Sequence, residues 1–94
     1  MGHIFESAIG AYLVSQAFVH RFEVYYWRER NDEVDFILHK KGSLVAIEVK
    51  SNAEKSTRGL ERFKHLYSPK KSFIIGDGGV GVEEFFSMDL NKLF

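Results

Sequence analysis

The sequence predicts a mixed α/β domain, with one sheet flanked by helices in the order α, β, β, β, α, β. Two observations carry this. Apolar residues recur at helical spacing near the start, and short β-rich segments bounded by polar turns follow. A second amphipathic segment then separates the third strand from the fourth, which is long enough for a parallel return.

From Ile4 to Phe18, the apolar positions Ile4, Phe5, Ala8, Ile9, Tyr12 and Leu13 predict the first helix. Phe22 to Arg28 is aromatic and β-branched, the composition of a strand. Glu29, Arg30, Asn31 and Asp32 form a turn cluster. Glu33 to His39 alternates, placing Val34, Phe36 and Leu38 on one face and Glu33, Asp35 and Ile37 on the other. After a turn at Lys40 to Ser43, Leu44 to Lys50 is a third strand. Val45, Ile47 and Val49 share one of its faces, and Leu44, Ala46, Glu48 and Lys50 share the other. The second and third strands are joined too tightly for a crossover, so they pair antiparallel. Ser56 or Thr57 caps a helix to about Tyr67 with Leu60, Phe63 and Tyr67 as its stripe, and Pro69 lies just past its end. Ser72 to Ile75 is a short buried strand, and Val82 to Phe94 is ambiguous between strand and short helix. Gly76, Gly78 and Gly81 spell G-x-G-x-x-G, but too little chain follows for a dinucleotide fold, so the run is expected to be a turn.

Composition narrows the function classes. The 94 residues make one domain, and 45% hydrophobic content with a single proline excludes disorder for the bulk of the chain. With no cysteine, there is neither a disulfide nor a thiolate metal site. No apolar run approaches the ~20 residues of a membrane span. Met1 to Leu13 has no basic n-region, and Glu6 stands where a myristoylation motif wants Ser or Thr. A soluble, cytoplasmic protein with no membrane partner is expected. The net charge is zero, yet it is unevenly spread: −2 over residues 1–49, +5 over 50–71 and −3 over 72–94. The basic block is either a solvated face or a phosphate-contacting patch containing Lys55, Arg58, Arg62 and Lys64.

The chemistry concentrates in carboxylates on strands. Asp35 interrupts an apolar strand, and Glu48 lies on the next one. A charge on a half-buried strand costs several kcal/mol unless it is paired or metal-bound. Neighbouring strands would bring Asp35 and Glu48 within a few ångströms, where they repel unless a cation lies between them. Oxygen ligands without Cys or His favour Mg²⁺ or Mn²⁺. Lys50 beside that ion could orient a water or neutralise an attacked phosphate. The structural alternative is an Asp35–Lys50 ion pair on a solvated sheet. His3, His20, His39 and His65 show no ligand spacing, although His3 is one turn from Glu6. Arg28 is expected to pair with an acid such as Glu33, and Tyr25, Tyr26 and Trp27 are expected to be core or interface aromatics.

An acid in one strand and E-x-K in the next, here EVDF (Glu33 to Phe36) and IEVK (Ile47 to Lys50), resembles the PD-(D/E)XK nuclease superfamily. Its restriction-endonuclease-like core has the same αβββαβ order, and its members also carry an acid on the first helix, here Glu6 in GHIFE. GHIFE, YYWRERNDEVDF, AIEVKS and GLERF further resemble the uncharacterised domain at the C-terminus of many prokaryotic AAA-type ATPases, over nearly the whole chain. The resemblance implies Asp35 and Glu48 as metal ligands, the Val49 carbonyl completing the site, and Glu6 binding directly or through water. It makes Lys50 the catalytic lysine. Val34 stands where the superfamily's name has proline, and no G-x-x-x-x-G-K-[ST] is present, so this chain is expected to bind no nucleotide.

The expected function is that of a Mg²⁺- or Mn²⁺-dependent endonuclease hydrolysing phosphodiester bonds in DNA, with Lys55, Arg58, Arg62 and Lys64 along the backbone. Resemblance to junction-resolving members implies branched DNA and a homodimer presenting two sites. The alternative is a non-catalytic nucleic-acid-binding or regulatory module of an AAA-type ATPase, with its motif charges kept as ion pairs.

Overall fold

The computed structural model describes residues 2–52 and 54–94, with side chains from Glu6 onward. The His3 side chain, weighed above as a neighbour of Glu6, lies outside the described residues. In chain order the elements are α1 (Gly2–His20), β1 (Glu23–Glu29), β2 (Asp32–Lys40), β3 (Ser43–Lys50), α2 (Arg58–Tyr67), β4 (Lys71–Gly76), α3 (Val82–Ser87) and a 3₁₀ turn at Leu90–Leu93. The four strands lie side by side as β1-β2-β3-β4. The first two pairings are antiparallel, and α2 carries the chain back so that β4 runs parallel to β3. The predicted mixed sheet flanked by helices is therefore the observed one.

Two apolar layers sandwich the sheet. Val45, Ile47 and Val49 of β3 pack under Ile9 and Leu13 of α1, with Phe85 and Leu90 closing the layer. Ala46 faces the opposite way, where Leu60 and Phe63 of α2 cover Val34 and Ile37. Each fully buried Leu, Ile or Phe contributes about 1.5–3 kcal/mol, so this burial pattern fixes the strand faces. Trp27 joins the α2 layer edge-on to Phe63, at 5.3 Å between ring centroids, whereas Tyr25 and Tyr26 are exposed on the edge strand. Arg28 lies opposite Glu33 in the β1–β2 register but makes no ion pair with it. Its Nε donates to the Arg30 carbonyl, while Glu33 accepts from the Tyr26 hydroxyl.

The C-terminal segment resolves as helical. After β4 the glycine run makes a turn, with the Val80 amide donating to the Ile74 carbonyl, and α3 then places Phe85 in the core. At the start of α2 the Thr57 side chain makes no cap bond. Ser56 Oγ instead accepts from the Arg58 amide at 3.1 Å. Ser68 ends the helix in the left-handed region, its amide bonded to the Lys64 carbonyl, and Pro69 follows. Among the described residues, no helix is long and apolar enough to cross a membrane.

The alternation expected for β2 breaks at one point. Tyr25 pairs with Ile37 and Trp27 with Val34, so Asp35 and Phe36 together oppose Tyr26 in a β-bulge. Val34 and Ile37 consequently both face α2, while Phe36 and Leu38 face α1. Simple alternation would place Val34 on the face of Phe36 and Leu38. The extra residue turns it to the other side.

Candidate functional site

The site lies at the bulge. Regular β2–β3 pairing ends at Phe36 and Ile47, so backbone groups beyond it need other partners. Asp35 and Glu48 supply them reciprocally. Asp35 Oδ2 accepts from the Val49 amide at 2.8 Å, and Glu48 Oε1 accepts from the Asp35 amide at 3.2 Å. The two carboxylates thus stand beside each other at the open end of the sheet, with Glu48 only 1% exposed.

One cation holds them. Lys55 Nζ, from the segment between β3 and α2, donates to the Val49 carbonyl at 2.6 Å, to Asp35 Oδ2 at 2.9 Å and to Glu6 Oε1 at 3.2 Å. Glu48 Oε1 is 3.8 Å away. Its three ammonium protons have three oxygen acceptors. Glu6 reaches this point from α1, so three elements and one loop converge on a single positive charge.

The electrostatics follow from burial. Burial pushes the Glu48 carboxyl up to about 8, and the hydrogen bond and charge of Asp35 act in the same direction, against the pull of Lys55. Burial and the neighbouring Asp35 both favour the protonated form of Glu48. Burial alone would lower the Lys55 ammonium, but Asp35, Glu48 and Glu6 outweigh it and hold the group above its ordinary value.

The chain matches the family described as Domain of unknown function (DUF4143) over residues 1–87. It belongs to that family. No curated protein and no solved structure matches it.

The residues singled out in this DUF4143 domain separate into two groups. Glu6, Asp35, Glu48 and the Val49 carbonyl come together. Lys50 shares the Glu48 face of β3 but, among the described residues, makes no side-chain hydrogen bond or ion pair. The lysine at the carboxylates is Lys55, which the sequence pattern assigned to phosphate contact. Arg58 and Arg62 instead grip Asp32, at 2.7 and 3.3 Å, and Arg62 also reaches Glu29 at 2.6 Å. This pairing, led by the Arg58 hydrogen bond, holds the Asp32 carboxyl below its usual range. Lys64 pairs with Glu61 on the exposed side of α2. Lys55, Ser56 and Arg58 line a cavity of about 210 Å³ whose wall includes Glu48. Lys64 borders a separate groove with Ser72 and Glu84.

Among the described residues, no three His, Asp or Glu side chains form a metal-holding group as they stand. The donor chemistry nevertheless suits a hard cation. Every donor is oxygen, one is a main-chain carbonyl, and the Lys55 ammonium already stands among them.

Proposed function

We propose that this DUF4143 domain is a PD-(D/E)XK-type, Mg²⁺- or Mn²⁺-dependent nuclease that hydrolyses phosphodiester bonds in DNA. The observation that carries the reading is the convergence of Glu6, Asp35, the Val49 carbonyl and Glu48 on one positive charge at the broken end of the sheet. Asp35, Glu48 and the Val49 carbonyl would hold the metal, with Glu6 binding directly or through water. A divalent cation bound there supplies charge stabilisation at the scissile phosphate and lowers the pKa of a water. Lys50, two residues beyond Glu48 on the same strand face, is the group proposed to orient that water. Arg58 and Lys55 border the cavity beside Glu48, where a phosphodiester backbone would lie. Branched DNA, a homodimeric assembly and association with an AAA-type ATPase belong to the same proposal, by analogy.

The second reading is a non-catalytic nucleic-acid-binding or regulatory module. What favours it is that Lys55 neutralises the acids and that Arg58 and Arg62 are held by Asp32. Cleavage of linear and four-way-junction DNA with Mg²⁺ or Mn²⁺ separates the two. The nuclease reading predicts metal-dependent cleavage that falls by ~10³-fold or more in Asp35→Asn with the fold retained, the scale of losing a metal's transition-state stabilisation. Cleavage equal in the variant and the native chain would overturn the site assignment.

A further inference from the structure

The ammonium of Lys55 and a divalent cation would compete for the same oxygens. Nζ lies 2.6 Å from the Val49 carbonyl and 2.9 Å from Asp35 Oδ2. Mg²⁺ bound to those atoms would stand about 2.0–2.1 Å from each, so an ammonium held by the same two oxygens would lie close to it and be repelled by its charge. Occupancy by one disfavours the other.

The lysine is also placed to leave. Its side chain is 25% exposed, so the path from the cage to solvent is short. It borders the cavity shared with Ser56 and Arg58, and its four-carbon stem can swing there without moving β3 or α2. The backbone carriers of the cage do not depend on it. Val49 is fixed by β-pairing to Ile75 and by the Asp35 carboxylate.

We propose that Lys55 is a tethered cation that occupies the acidic site and has to withdraw before a divalent cation can enter. This rests on the metal reading above and adds that metal affinity is set by how firmly the lysine is held. A cage filled by the ammonium for about 90–99% of the time lowers apparent metal affinity about 10- to 100-fold. The same contact sets a positive charge among Glu6, Asp35 and Glu48. It also makes metal occupancy sensitive to any anion that draws Lys55 into the neighbouring cavity.

The test is calorimetric titration of Mn²⁺ into the native chain, Lys55→Gln and Asp35→Asn, with circular dichroism as the check on folding. The expected result is binding at least about 10-fold tighter in Lys55→Gln, and binding lost in Asp35→Asn. Binding by the native chain that is unchanged or weaker in Lys55→Gln would overturn the proposal and leave the metal site standing. Absence of binding in both folded proteins would overturn the metal reading together with the proposal. If Lys55→Gln does not fold, NMR of the native chain decides, with diamagnetic Mg²⁺ as the titrant. Lys55 side-chain signals that move to exposed-lysine positions as metal binds support exchange. Signals unmoved at metal saturation overturn it, and absence of any Mg²⁺ response in the chain overturns both.

Discussion

Glu48 is the most informative single residue, because its burial and its neighbours oppose its charge. Its carboxyl is raised from an ordinary 4.5 to about 8, so between those values the folded chain holds a proton that the unfolded chain has released. Stability contributed by this group is fully present below 4.5 and is lost as pH rises through about 8. Urea denaturation across this window is therefore expected to show the native chain losing on the order of a few kcal/mol that Glu48→Gln does not lose. Parallel pH profiles for the two proteins would show that Glu48 ionises as an ordinary carboxyl. Asp35 and Glu48 were both legible in the sequence, as acids where strands should be apolar. Lys55 was not. Periodicity speaks for strands and helices, and this lysine stands on neither. The signal available was charge balance: Glu6, Asp35 and Glu48 together exceed what Lys50 alone could neutralise.

The elements were largely legible, and their exceptions are local. The faces of β3 followed simple alternation, since both are covered and each position has to suit its layer. β2 departed from alternation because one extra residue at Asp35–Phe36 reverses the faces on one side of it, and composition carries no mark of a bulge. α3 remained ambiguous because a six-residue segment offers too few turns for a period. The seating of α2 was also invisible, and it depends on Gly59. A Cβ there would lie 2.1 Å from the Glu33 carbonyl oxygen and 2.6 Å from its amide nitrogen, both main-chain atoms that cannot rotate away. Gly59→Ala should push the first turn of α2 off β2 and destabilise the chain by about 2–3 kcal/mol. It should also disturb the neighbouring Arg58–Asp32 pair. A thermal or urea midpoint equal to that of the native chain would contradict this packing.

Taken together, the fold brings residues far apart in sequence to the place where the central strands β2 and β3 stop pairing. Glu6 arrives on α1, Asp35 on the bulge, Glu48 and Val49 on β3, and Lys55 on the loop that starts the crossover to β4. The zero net charge, which says little about partners, conceals this local organisation of acids around a cation. The basic block of the sequence likewise divides into pairs once folded: Arg58 and Arg62 secure the β1–β2 turn through Asp32, and Lys55 fills the acidic cage. Linear charge counting cannot distinguish such pairing from an open patch. Anomalous diffraction from crystals grown with Mn²⁺ examines the arrangement at atomic resolution. The expected map has a peak bounded by Asp35, Glu48 and the Val49 carbonyl, with the Lys55 ammonium displaced from its present position. Lys55 retained among the carboxylates with no Mn²⁺ beside them, in crystals with that site open to solvent, would contradict it.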